Sequence, residues 1–260
     1  MSTNILKIRC KLFAISILFF LQMGTPLKII SASELYIAVA SNFLTPINIL
    51  KQEFELEHKT KIFISSGSSG SLYSQIINGA PLDIFLSGDQ DLPQKLEFSE
   101  KGIKGTRFTY ATGKLLIFSS NENLFKKNFP QVLLSNHIKY IGIGNPEYVP
   151  YGNAAKQVLK SLNLFNELSP KLILSKNVNQ VFVMSYFGNL DLGFVSKSDF
   201  LIKNQKGKIW DIPQKLYSPI KQDVILLKNG KYKEKAREFL RFLSSTNTRE
   251  KLKKFGYVTD

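Results

Sequence analysis

Residues 65–81, SSGSSGSLYSQIINGAP, decide how the chain is read. Small hydroxyl residues and glycines (Ser65, Ser66, Gly67, Ser68, Ser69, Gly70, Ser71) run straight into an apolar-periodic segment carrying Leu72 and Ile76. That segment closes on Asn78, Gly79 and Pro81 and contains no charge, histidine or cysteine. A β-rich stretch, TKIFISSG (60–67), precedes the run, and LDIFLSG (82–88) follows it. Strand, small-residue loop, helix over 71–78 and strand again is α/β grammar. Upstream, ELYIAVAS (34–41) reads as a buried strand. The next segment, 42–59, reads as a helix with Pro46 in its first turn and Phe43, Ile47, Leu50 and Phe54 on one stripe. The first third is therefore β-α-β-α-β, with parallel strands and right-handed crossovers.

The same alternation continues. Strands are expected at 112–121, at 140–152 (running into a turn), at 190–199 and at 223–230. Helices are expected at 153–165, at 178–189 with Asn177 as its cap, and at 232–244 and 246–254. Together these predict two α/β lobes, each a sheet flanked by helices, with a ligand cleft between them. Lobe I would hold residues 34–113 plus 219–260, and lobe II residues 114–218.

The segment 1–33 reads as a signal peptide. Lys7, Arg9 and Lys11 form a basic start, Leu12 to Met23 an apolar stretch too short to span a bilayer comfortably, and Ser31-Ala32-Ser33 a small-residue cleavage site. Export to the periplasm is the expected localisation. The single cysteine, Cys10, precedes the apolar stretch, where a lipid-attachment cysteine would follow it. The mature chain then has no thiol, which excludes disulfides, cysteine-ligated metal and a cysteine nucleophile. Of the formal net charge of +15, four positive charges leave with residues 1–33, so the mature chain carries +11. Its lysines are scattered or interleaved with Glu at helical spacing, which reads as a solvated face rather than a nucleic-acid surface.

Four places share one arrangement in which a strand ends, a small or polar residue appears and a helix begins. They are Ser41-Asn42, Ser69 in the serine–glycine run, Tyr151 in VPYGNAA, and Val178 after Asn177. A helix start offers unpaired N–H groups and the positive end of its dipole, so it holds an anion without a formal positive charge. Ligands of open α/β sheets bind at the carboxyl ends of strands, where these segments fall. Converging on one cleft, they would form a cage of neutral donors, with Ser41 and Ser69 adding hydroxyls.

On QIINGAPLDIFLSGDQ (75–90), GNPEYVPYGNAAKQVL (144–159), LSPKL (168–172), VASN (39–42) and the ending REKLKKFGY, the chain resembles the periplasmic molybdate-binding proteins of ABC importers along essentially its whole mature length. The resemblance implies a two-lobed periplasmic-binding-protein fold of type II that closes over a tetrahedral dianion. It implies ligand contacts from Ser41, Asn42, Ser69, Tyr151 and Val178, with Tyr151 and Val178 giving backbone N–H groups. Molybdenum would enter only as the bound oxyanion, through Ser41, Ser69, Tyr151 and Val178, with no direct protein ligand to the metal and no cofactor. The implied partners are molybdate or tungstate and an inner-membrane permease, with no nucleic acid, and the protein is expected to act as a monomer without catalysis. Where certain members place a tyrosine hydroxyl, this chain has Ser196. Its shorter reach leaves that contact either to Tyr151 or to a wetter site.

Other residues take plainer readings. Asp83 and Asp89 are expected to cap turns rather than bind metal, and Trp210 to pack near the return crossing. His58 and His137 sit in no motif. Two further function classes stay open: a binder of sulfate, phosphate or ferric ion on the same fold, and a secreted serine hydrolase needing one of those histidines as base.

Overall fold

The computed structural model describes residues 33–203 and 206–259. Of the expected signal peptide only Ser33 falls within them, and Cys10 lies outside. Ser33–Asp260 form one compact unit built on two five-stranded sheets. The first sheet and its helices begin with β1 (Ser33–Ala40), α1 (Leu44–His58), β2 (Thr60–Gly67), α2 (Ser69–Ile77), β3 (Ile84–Leu86), α3 (Asp91–Phe98) and β4 (Phe108–Gly113). The chain then builds the second sheet from β5 (Leu115–Ser119), β6 (Ile141–Gly144), α4 (Pro150–Ser161), α5 (Phe165–Leu168), β7 (Leu172–Ser175), α6 (Val178–Tyr186), β8 (Leu192–Ser196), α7 (Lys197–Lys203) and β9 (Lys208–Asp211). It returns to the first sheet with β10 (Ile220–Leu226) and ends in α8 (Lys233–Ser244) and α9 (Thr246–Lys254).

The two sheets repeat one plan. The first has the order β2-β1-β3-β10-β4, parallel across β2, β1 and β3 and antiparallel on both sides of β10. The second has the order β7-β6-β8-β5-β9, parallel across β7, β6 and β8 and antiparallel on both sides of β5. In each, the strand that starts the motif lies between the next two, so successive crossover helices cover opposite faces. The apolar stripe of α1 (Ile47, Leu50, Phe54) meets Leu35, Ile37 and Val39, while that of α2 (Leu72, Ile76) meets Ala38 and Phe85 on the other face. Likewise α4 packs Ala154, Ala155 and Val158 on Ile141 and Ile143, and α6 packs Val181 and Phe182 against Leu116 and Val195. Strands covered on both faces explain why β1 and β6 read as nearly continuous apolar runs. The reversal of strand order leaves a crevice at the carboxyl ends of β1 and β6, the ligand position of such sheets.

Several boundaries differ from the sequence reading. The strand expected at 112–121 is two strands, β4 ending in the first sheet at Gly113 and β5 starting in the second at Leu115. Between them the Lys114 carbonyl accepts the Lys197 N–H at 2.9 Å. Helix α7 follows β8 directly, within the 190–199 segment expected to be strand. Helix α2 starts at Ser69, two residues earlier than expected, because Ser68 rather than a later serine is its cap. Helix α4 starts at Pro150, where the fixed φ of proline suits a first helical position, so Tyr151 and Gly152 are helical and not part of a turn. Gly152 has a packing reason: a Cβ there would lie 1.9 Å from the carbonyl oxygen of Gly144.

That contact gives a test of how α4 is seated. Gly152→Ala must push the helix start off β6, and overpacking of this kind costs about 1–3 kcal/mol. Urea unfolding should show a lowered midpoint, and an unchanged midpoint would mean the α4–β6 junction gives way freely.

Candidate functional site

The serine-rich loop works through a division of labour between neighbours. Ser68 caps α2, its hydroxyl oxygen accepting the N–H of Ser71 at 3.2 Å. Ser69 is thereby released from capping. Its Oγ instead accepts the N–H of Gly88 at 2.9 Å, with the residue only 1% exposed. A hydroxyl that accepts in this way keeps its proton to donate. On α6 the same logic holds: Asn177 Oδ1 accepts the N–H of Gln180 at 2.9 Å, which leaves Val178, the first helical residue, without an intrahelical partner for its N–H. On α4 there is no side-chain cap, and Pro150 has no N–H to offer, so Tyr151 carries the first amide of that helix. The next two amides, of Gly152 and Asn153, both go to the Val149 carbonyl. Ser41 and Asn42 open a 3-10 turn, Ser41–Phe43, directly after β1.

These segments meet. Gly88 lies among them, since a Cβ built on it would stand 3.2 Å from Asn42 Oδ1, 3.2 Å from Ser69 Oγ and 3.4 Å from Pro150 Cγ. Helix α6 packs on the Ser41–Phe43 turn. The start of α2 is tied to the loop before α4 by a hydrogen bond from Gly70 N–H to the Tyr148 carbonyl, 3.1 Å. Ser41, Asn42, Ser69, Tyr151 and Val178 are each no more than 5% exposed. A groove of about 470 Å³ opens beside them, its lining including Gly70, Gly88, Tyr148, Pro150, Lys95 and Lys221.

A second layer of buried polar groups fixes the donors. Asn42 Nδ2 donates to Gln222 Oε1 (2.8 Å) and to the Tyr257 hydroxyl (3.3 Å), so its side-chain N–H groups are committed and its backbone N–H is what remains for a ligand. The Asn42 carbonyl accepts from Tyr257 OH (2.8 Å) and Ser198 Oγ (3.2 Å). Burial pushes the phenols of Tyr110, Tyr151 and Tyr257 above the ordinary tyrosine range, so all three stay neutral. Burial likewise raises the carboxyl of Asp199, and the Lys203 ammonium at 3.2 Å opposes that shift. The side chains of Asn42, Ser69 and Tyr151 bond uncharged partners: Gln222 and Tyr257, the Gly88 amide, and Gln222.

Ser196 is engaged within its own turn. Its hydroxyl lies 2.8 Å from Ser198 Oγ, accepts the Asp199 N–H and donates to Asp199 Oδ2, while the Tyr151 phenol is held by Gln222 Nε2 at 3.1 Å. Asp83 accepts the N–H groups of Tyr36 and Tyr232, and Asp89 accepts that of Leu92 at the start of α3, so both lock turns. His58 stacks on Phe54 and pairs with Glu238 at 3.3 Å, and Trp210 is buried with its Nε1 donating to the Lys127 carbonyl. Sequence reasoning missed Gly88, Tyr110, Ser198, Gln222 and Tyr257. The traces of them were Gly88 at the end of LDIFLSG and Tyr257 in the KFGY ending.

Compared with known proteins, residues 35–258 match the family model of bacterial extracellular solute-binding proteins. The molybdate-binding protein ModA of Azotobacter vinelandii is 38% identical over 87% of this chain and 90% of its own length, and that of Rhodobacter capsulatus is 35% identical over 92% and 94%. The solved structure of the Azotobacter vinelandii periplasmic molybdate-binding protein superposes with a TM-score of 0.83, covering 87% of this chain and 99% of that one at 35% identity. A sulfate-binding protein of Mycobacterium tuberculosis, at 10% identity and a TM-score of 0.74 over 86% of each chain, shares the fold alone.

Asp89 lines the groove next to Gly88, and burial raises its carboxyl to about 6. A carboxyl whose folded pKa is raised costs stability as pH climbs from its unfolded value through the folded one, because the unfolded chain ionises first. Asp89→Asn keeps the acceptor for Leu92 and removes the titration. Its unfolding free energy should gain on the wild type by about 1–3 kcal/mol between pH 4 and pH 7.5. A difference independent of pH in chemical denaturation would show that the carboxyl titrates normally.

Proposed function

This chain belongs to the bacterial extracellular solute-binding proteins, in the molybdate-binding group of ABC importers, and we propose on that premise that it captures molybdate outside the cytoplasmic membrane and delivers it to an importer permease. The reading is carried by one feature: donors without formal charge converge from two sheets on one buried place. A tetrahedral dianion needs several hydrogen-bond donors at once, and a lysine there would bind any anion by charge alone. The hydroxyls and amides of Ser41 and Ser69, with the amides of Asn42, Tyr151 and Val178, supply donors of fixed geometry. Discrimination against the smaller sulfate then follows from the size of the cage. Tungstate, matching molybdate in charge and shape, is expected to bind as well.

In this reading, residues 34–113 with 219–260 act as lobe I and 114–218 as lobe II, and closure brings the donors of α4 and α6 onto those of β1 and α2. Residues 1–33 direct the chain to the periplasm. The donor set is complete within one chain, which supports a monomer. Binding without chemistry is supported by the commitments of His58 to Glu238 and Phe54, and by the engagement of Ser69 with Gly88 rather than with a base.

Calorimetry with molybdate, tungstate, sulfate and phosphate in the presence of a chelator tests the reading. One molybdate per chain with no divalent cation is expected, and a stoichiometry of two or a metal requirement would contradict it. Ser41→Ala and Ser69→Ala each remove a hydrogen bond to a charged group, roughly 1.5–3 kcal/mol, so affinity should fall about tenfold to a hundredfold. Ser68→Ala is the control: as a lost helix cap it should cost about 1 kcal/mol of stability and leave molybdate affinity in place.

A further inference from the structure

Gln222 joins the two halves of the site. It lies on β10 two residues after the chain re-enters the first sheet, and it is 0% exposed. Its Oε1 accepts from Asn42 Nδ2 at 2.8 Å and from the Tyr110 hydroxyl at 3.0 Å, and its Nε2 donates to the Tyr151 hydroxyl at 3.1 Å. The Tyr110 hydroxyl has one proton and also faces the Ser87 carbonyl at 3.0 Å, so the amide orientation rests on the contact with Asn42 Nδ2. Asn42 belongs to the turn after β1 in the first sheet, and Tyr151 to α4 of the second. Among the described residues this carboxamide therefore bonds both a donor turn and a donor helix.

The surroundings hold Gln222 still. The pairing of β10 with β4 breaks register between Gln222 and Asp223, so that Gln222 faces Ala111 and Asp223 faces Thr109. The extra residue of this bulge is Tyr110 on β4, which is left without a β10 partner and whose hydroxyl reaches Gln222. Asp223 is anchored by Arg107 Nη1 at 2.6 Å, Thr109 Oγ1 at 2.6 Å and Gln90 Nε2 at 3.1 Å. Space for the contact comes from Gly113, where a Cβ would lie 2.0 Å from the Tyr151 hydroxyl and 2.6 Å from Gln222 Nε2. The Tyr151 ring is itself buried in the core of the second sheet, so its hydroxyl and its amide move as one body.

We propose that Gln222 is a specificity-determining positioning residue: its carboxamide sets the separation between the Asn42 turn and the start of α4, and with it the size of the anion cage. This rests on the molybdate reading above. Loss of the brace lets the cage relax, which weakens the anion that fits and costs a smaller anion less.

The test uses the mature full chain as wild type, Gln222→Met, Tyr151→Phe, their double variant and Gly113→Ala. Calorimetry measures molybdate directly and sulfate by direct titration or competition. Gln222→Met keeps the side-chain volume, and Tyr151→Phe keeps the backbone donor, so neither empties the site. Each single variant should bind molybdate about three- to tenfold more weakly, the loss of one buried neutral hydrogen bond or slightly more. The molybdate-to-sulfate ratio should narrow, the double variant should be no weaker than Gln222→Met alone, and Gly113→Ala should reproduce the narrowing by wedging the contact apart. Losses that multiply in the double variant, or a Tyr151→Phe protein with wild-type affinity and ratio, would overturn the proposal. Tyr151→Phe decides alone if Gln222→Met does not fold. A wild type that binds molybdate while its variants match it sinks the brace only, whereas a wild type that binds no oxyanion of the panel sinks the molybdate reading and the brace with it.

Discussion

A helix cannot satisfy its own first amides, and this protein buries such amides together. Those of Tyr151 and Val178 begin helices of the second sheet, Ser69 begins one of the first, and Ser41-Asn42 opens the turn after β1. Buried donors are costly unless something accepts from them. The surroundings do not relieve that cost with charge. They relieve it in part with caps, Ser68 on α2 and Asn177 on α6, each of which takes one amide and leaves the neighbouring donor unspent. In the proposed reading a buried oxyanion completes the set without any lysine or arginine.

The two-fold repetition of one sheet plan makes this convergence possible. In each sheet the first of the parallel strands, β1 or β6, ends up between the next two, so each opens a crevice at the carboxyl ends of its parallel strands. Facing the two crevices toward one another brings four chain segments together that are far apart in sequence. Close backbone approach then depends on glycine at a few places. Gly88 sits among Asn42, Ser69 and Pro150, Gly152 lies over Gly144, and Gly113 makes room for the Tyr151 hydroxyl. Gln222, Tyr257 and Ser198 hydrogen-bond Asn42, Gln222 also bonds Tyr151, and Tyr110 bonds Gln222 behind them.

Much of this was legible in the sequence, for reasons that particular residues make clear. Ser41, Ser69, Tyr151 and Val178 each follow a β-rich run and precede a helical one, so local pattern alone placed them at strand-to-helix junctions. The C-terminal helices were visible within a residue or two, because their apolar and charged positions alternate at helical spacing. What escaped was non-local. The run 112–121 reads as one strand but belongs to two, β4 and β5, since strand propensity does not register a change of partner. VPYG looked like a turn because glycine usually breaks helices, whereas Gly152 is required by contact with β6. Gln222 occupies an ordinary place in an alternating strand, and no local signal announces that its carboxamide meets Asn42 and Tyr151 there.

The central claim is that molybdenum is held as an intact oxyanion by neutral N–H and O–H donors, with no protein atom bonded to the metal. X-ray absorption at the molybdenum edge of the protein–molybdate complex addresses it most directly. The account predicts the spectrum of a four-coordinate oxyanion, unchanged from free molybdate apart from small effects of hydrogen bonding. Additional nitrogen or oxygen neighbours in the first coordination sphere, or loss of the tetrahedral signature, would contradict it.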